Sequence, residues 1–152
     1  MSTIKVDTYQ TRGGASEIAI DKIKGVTAAG SMLVVGEGGT NTTNLQQGLA
    51  KAWGHMNGAN TPAYGDSFNM GSITDNATGN YTQAFTSSMA SVSYASYGTN
   101  GDGSAQLGGV ICNRSAVYAT GSYGFTTTFS TGSTPQGYDP ADTSTSISGD
   151  LA

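Results

Sequence analysis

The sequence predicts an all-β fold: an antiparallel β-sandwich body, an extended N-terminal β arm and at most one short helix. Three observations predict it. The stretch DSFNMGSITDNATGNYTQAF, residues 66–85, holds two alternating runs around a cluster of turn formers. Alternation with period two puts successive side chains on opposite faces of a sheet, so these runs read as a hairpin. Further short alternating runs follow at close spacing with turn chemistry between them, the pattern of a sandwich or barrel. Composition agrees. Glycine is abundant at 23 residues and proline scarce at 3, and only 11% of the 152 residues are charged, against about 25% in an average domain.

Taken in order, residues 2–12 alternate Ile4 and Val6 with Lys5 and Asp7 and read as a strand that Gly13-Gly14 ends. Residues 17–21 form a second strand, continued by Ile23 to Val26. Ile4, Val6, Ile18, Ile20, Ile23 and Val26 have no local surface to bury against, so residues 1–30 are expected to be an assembly arm that docks on another surface. Residues 31–152 are the body. Ser31 to Gly36 is a short apolar strand. The Gly36-Glu37-Gly38-Gly39 after it lacks the third glycine of a dinucleotide-binding loop, where Asn41 stands, and reads as a plain turn.

Residues 42–51 are the one helical candidate, with Thr42, Thr43 or Asn44 as cap and Leu45 and Leu49 on one face. Gly48 in its interior costs about 1 kcal/mol, so the helix should be short. Trp53 then opens an extended stretch as far as the turn-forming Asn57-Gly58, with Trp53 and His55 on the same face. In the hairpin, Phe68 and Met70 share one face of the first strand. Tyr81, Gln83 and Phe85 share a face of the second, and Asp75 to Asn80 form the loop, with Gly79 free to take positive φ. Later strands are expected at Val92–Tyr97, Leu107–Cys112, Ser115–Thr120, Tyr123–Ser130 and Thr145–Leu151. A long loop from Gly132 to Thr143 precedes the last of them. The core is expected to be aromatic, built from Tyr81, Phe85, Tyr94, Tyr97, Tyr118, Tyr123, Phe125 and Phe129, with each phenol needing a partner or water.

Charge excludes several functions. Residues 1–51 carry five of the six basic residues against four acids, and residues 52–152 carry only Arg114 against six acids. No basic patch is present to displace counterions from nucleic acid. No run is long enough to span a bilayer. No apolar leader precedes the arm, so synthesis and assembly in a cytoplasm are expected. Cys112 stands alone in an apolar run and reads as a buried small hydrophobe.

The chain reads as a non-enzyme with no cofactor and no metal site. One histidine, His55, has no nucleophile elbow to serve and no second histidine for a metal, and reads as solvent-facing or hydrogen-bonded. Most aspartates fall in turns, where that residue is common, rather than across a cleft. The Asn100-Gly101-Asp102-Gly103-Ser104 stretch lacks the closing glutamate of a calcium loop.

Two segments resemble a known family. STIKVDTYQTR with EIAIDKIKGVTA is similar to the N-terminal repeat of bacteriophage tail-fibre and tail-tip proteins, those of marine and cyanobacterial hosts in particular. Ala50-Lys51-Ala52-Trp53, Asn57-Gly58 and DSFNMGSITDNATGNYTQAFTSSM resemble a module recurring on such fibres, which usually has a bulky apolar residue where this chain has Gly54. The resemblance implies a homotrimeric structural protein of the virion, held to other virion proteins by its arm. It would contribute to host attachment through multivalent, non-covalent contacts with a surface glycan or outer-membrane protein. A capsid decoration or head fibre, a lectin-like module and a small glycan-active enzyme are the alternatives. Receptor contacts are expected where aromatic rings border amides and carboxylates: Tyr97, Asn100 and Asp102 in one loop region, Tyr123 and Tyr138 in another.

Overall fold

The computed structural model describes residues 32–36, 39–101, 110–112, 118–130 and 134–152. The arm residues Ile4, Val6, Ile18, Ile20, Ile23 and Val26 lie outside these, as do Asp102 and the side chain of Cys112. The described elements are β1 (Leu33–Val35), β2 (Thr42–Asn44), α1 (Leu45–Gly48), β3 (Ala50–Asn57), β4 (Ala63–Phe68), β5 (Met70–Ala77), β6 (Asn80–Phe85), β7 (Ala95–Gly101), β8 (Val110–Cys112), β9 (Tyr118–Ala119), β10 (Ser122–Ser130), β11 (Pro135–Gly137) and β12 (Asp142–Ser148). Every pairing is antiparallel. The all-β expectation holds.

β1 and β2 form a small separate sheet, and the rest share one sheet in the order β4-β3-β12-β7-β8-β10-β6-β5, with β9 and β11 beside β10. That sheet folds over into two layers. β12 and β6 lie four strand steps apart, about 19 Å along a flat sheet, yet the Thr145 hydroxyl donates to Gln83 Oε1 at 2.9 Å. Gln83 Nε2 also reaches Met56 Sδ of β3 at 3.6 Å. The sandwich is thus one sheet folded over on itself.

Its two outermost strands, β4 and β5, are consecutive in the chain. Only Asn69 separates them, and it has φ 56°. Its amide fixes the corner: Nδ2 donates to the carbonyls of Lys51 and Ser87, each at 3.0 Å, and the Ser87 N–H donates to Oδ1 at 2.6 Å. The corner reverses the facing that simple alternation predicts. Phe68 is 50% exposed on the outer face and Met70 is buried.

The core is aromatic as expected, except at Tyr97 and at Phe129, which is half-buried against Tyr138 and not part of the core cluster. Phe85, Tyr94, Tyr118, Tyr123, Phe125 and Tyr81 form a continuous chain of ring contacts at centroid distances of 4.8–5.9 Å. Such contacts add about 0.5–1.5 kcal/mol each beyond burial. Two buried phenols find partners inside the protein, whereas the Tyr64 hydroxyl is buried without one. Tyr81 donates to Asp139 Oδ1 at 2.6 Å, and the Tyr94 hydroxyl lies 3.1 and 3.0 Å from the carbonyls of Ala119 and Ser122. Tyr97, expected in this core, is 58% exposed, because the pairing of β7 with β12 turns it to the outer face beside Ser146.

Other elements shift in bounds. The helix is a single turn capped by Asn44, whose side chain accepts from the Gln47 N–H at 3.0 Å. Thr42 and Thr43 belong to β2, and β3 begins already at Ala50. Leu49 is therefore exposed instead of packing with Leu45. The expected strand from Val92 starts at Ala95, and the long loop before β12 contains β11. The hairpin loop shrinks to a tight turn at Thr78-Gly79, with Asp75 and Asn76 inside β5. Gly79 does take positive φ, 67°.

Gly54 faces inward under Tyr64, and a Cβ there would lie 2.7 Å from the Tyr64 ring. That close approach explains why no bulky residue stands at this position.

Candidate binding face

The outer face of β4, β3, β12 and β7 gathers side chains from distant parts of the chain. Trp53 pairs with Phe68 on one side and Ser146 on the other, and Ser146 pairs with Tyr97. Phe68, Trp53, Ser146 and Tyr97 thus form one cross-strand row, with Phe68 50%, Trp53 37% and Tyr97 58% exposed. The neighbouring row, in the same registers, is Asp66, His55, Ser144 and Thr99. An aromatic row lies beside a row of hydroxyls, a carboxylate and an imidazole.

Hydrogen bonds fix parts of this face. The Ser146 hydroxyl donates to the Tyr97 phenol oxygen at 3.0 Å. This bond, with a second from Ser148, favours the phenolate and lowers the Tyr97 pKa below its ordinary value. His55 Nε2 lies 3.2 Å from Asp142 Oδ1, with both side chains more than half exposed. His55 is therefore both solvent-facing and hydrogen-bonded, as expected. Beside Tyr97 a shallow groove of about 400 Å³ runs along Thr99, Ser144 and Ser146. Among the described residues no group of three His, Cys, Asp or Glu side chains is placed to hold a metal.

The expected receptor residues do not come together. Tyr97 presents its ring to solvent. Tyr123 is only 2% exposed and stacks on Phe125 at 5.7 Å, so it has no face free for a ligand, because its alternation in β10 points inward. Asn100 has both amide atoms buried and without a hydrogen-bond partner. It lies cross-strand from Thr143 in an inward row with Met56 and Tyr64. Tyr138 is half-buried, edge-on to Phe129 at 5.2 Å.

Trp53, Phe68, Ser144 and Ser146 were not expected in a site. The alternation that aligned Trp53 with His55 was the one available signal.

Fold and face together define a class: an antiparallel sandwich that carries an aromatic, hydroxyl-lined outer surface. Compared with protein-family models, curated proteins and solved structures, the chain matches none.

Proposed function

We propose that the chain is a structural virion protein, a short tail-fibre or tail-tip component that contributes to host attachment by non-covalent, multivalent binding. The observation that supports this reading best is the solvent-facing row of Phe68, Trp53 and Tyr97 with hydroxyls beside it. Trp53 and Tyr97 stand two strand steps apart, about 10 Å, long enough for a disaccharide. Flat rings bordered by hydroxyl and carboxylate groups suit the apolar faces and equatorial hydroxyls of a sugar. One such face binds weakly, and several copies on one particle multiply the effect by avidity. Assembly of three copies fits a second feature: Leu33, Val34 and Val35 of β1 are exposed on both faces of a two-stranded sheet, which is marginal alone. The resemblance read from the sequence, in residues 2–12, 17–28, 50–53, 57–58 and 66–89, motivates the same reading.

The test uses particles carrying Trp53→Ala or Tyr97→Ala. Both side chains are exposed enough for the fold to survive, and each change should lower apparent adsorption affinity about tenfold or more, as for aromatic hot spots. Labelling of the protein on intact particles, with the mass of the purified protein, tests location and copy number. Unchanged adsorption in both variants removes this face from attachment. Glycan binding by a protein absent from particles replaces the virion reading with a free lectin. A monomer that turns over polysaccharide replaces it with an enzyme.

A further inference from the structure

A second groove, of about 420 Å³, opens at the start of β3, away from the hydroxyl row. Leu49, Phe68, Ala90 and Leu151 form its apolar lining, and Lys51 and Asp150 are its charged residues. Lys51 is the unusual member. It is only 7% exposed, although lysine is almost never buried unless paired. Its ammonium has three donors and, among the described residues, makes one hydrogen bond, to the Leu49 carbonyl at 2.8 Å. No carboxylate of the described residues lies within ion-pairing distance of it.

This position is built by the backbone. Ile147 of β12 pairs with Ala52 and the next residue, Ser148, pairs with Ala50, so Lys51 is the extra residue of a β-bulge. A bulge re-aims its side chain, and here Lys51 and Ala52 are both buried in succession. The Asn69 amide donates to the Lys51 carbonyl and holds the bulge at the corner between β4 and β5.

We propose that this groove binds a monocarboxylate with a small apolar body. Its carboxylate sits on the Lys51 ammonium, and its hydrocarbon lies against Leu49, Phe68 and Leu151. A single cation with Asp150 nearby disfavours a dianion such as phosphate, and a neutral apolar molecule leaves the ammonium donors unused. The same chemistry is offered by a free aliphatic acid and by the C-terminal residue of a peptide.

The experiment follows backbone amide resonances of the full chain during titration with four probes. These are hexanoate, hexanol, and an acetylated peptide ending in leucine with either a free carboxylate or an amide. Saturable shifts at Leu49, Lys51 and Phe68 with hexanoate and not with hexanol are expected. Lys51→Met should weaken hexanoate binding roughly tenfold or more, the loss of a charge-assisted hydrogen bond. Leu49→Glu, at an exposed position that leaves the core untouched, should abolish binding by placing the protein's own carboxylate on the ammonium; it decides alone if Lys51→Met does not fold. Tighter binding of the free-carboxylate peptide than of hexanoate identifies a chain terminus as the natural source, and the reverse identifies a small acid. Equal shifts with hexanoate and hexanol, no saturable shift, or unchanged binding in Leu49→Glu overturn the proposal.

Discussion

Asn69 shows how much of this architecture rests on single side chains. It joins the two outermost strands, adopts φ 56° and makes three hydrogen bonds with its amide. Alanine loses all three bonds and resists the left-handed region, so Asn69→Ala should cost about 2–4 kcal/mol. Asn69→Gly keeps the backbone conformation and should cost less. Urea unfolding of both variants measures the difference, and equal losses would show that backbone strain plays no part. The corner was not legible in the sequence, because Phe68-Asn69-Met70 continues a clean alternation. One left-handed residue sends Phe68 out and Met70 in, and periodicity carries no sign of it. Tyr123, expected both in the core and among the receptor contacts, takes only the first place, because its strand points it into the ring chain with Tyr118 and Phe125.

Among the elements, the β5–β6 hairpin was legible because its signals are local: alternating runs, Asx residues and a glycine. The tightness of its turn was not, because contacts made elsewhere impose it. Gly79 sits against β10 and the residues following β11, and a Cβ there would lie 2.5 Å from the Thr127 carbonyl oxygen and 2.7 Å from the Tyr138 nitrogen. The Gly79 N–H donates to Asp139 Oδ1 at 2.7 Å, and the same oxygen takes the Tyr81 hydroxyl. Gly79→Ala forces backbone to move at positive φ and should destabilise the fold by about 2–4 kcal/mol. Thermal unfolding measures this, and a loss near zero would mean that the turn is free to shift away from β10. The candidate face was illegible for a related reason. Its row is set by the pairing of β3 with β12, nearly a hundred residues away in sequence, and of β12 with β7. Local pattern marks Trp53 and Tyr97 as aromatic strand residues. Only the non-local register sets them on one side, with Ser146 between.

The molecule as a whole is a sandwich whose interior is closed by phenols where most cores use aliphatic side chains, and this makes it sensitive to alkali. Burial pushes Tyr64, Tyr81, Tyr94 and Tyr123 above the ordinary tyrosine value of 10.0, Tyr94 to about 12. For Tyr81 the Asp139 carboxylate adds to burial, since a phenolate beside it would meet a like charge. Below pH 10 these groups are neutral in folded and unfolded chains alike, and they favour neither. Above it the unfolded chain loses protons that the folded one keeps, so stability must fall as pH rises from 10 toward 12. Tyr97 behaves oppositely, because its phenolate accepts from Ser146 and Ser148 and ionises early on the intact fold. Phenolate absorbance followed together with circular dichroism across this range should therefore show two stages. A first small rise leaves the β signal unchanged, and a later, larger one coincides with its loss. Tyr97→Phe should diminish the first stage and leave the second in place. A single smooth titration of the tyrosines with the β signal intact would mean that the phenols are open to water, and that the layers do not close over the ring chain running from Phe85 to Tyr81.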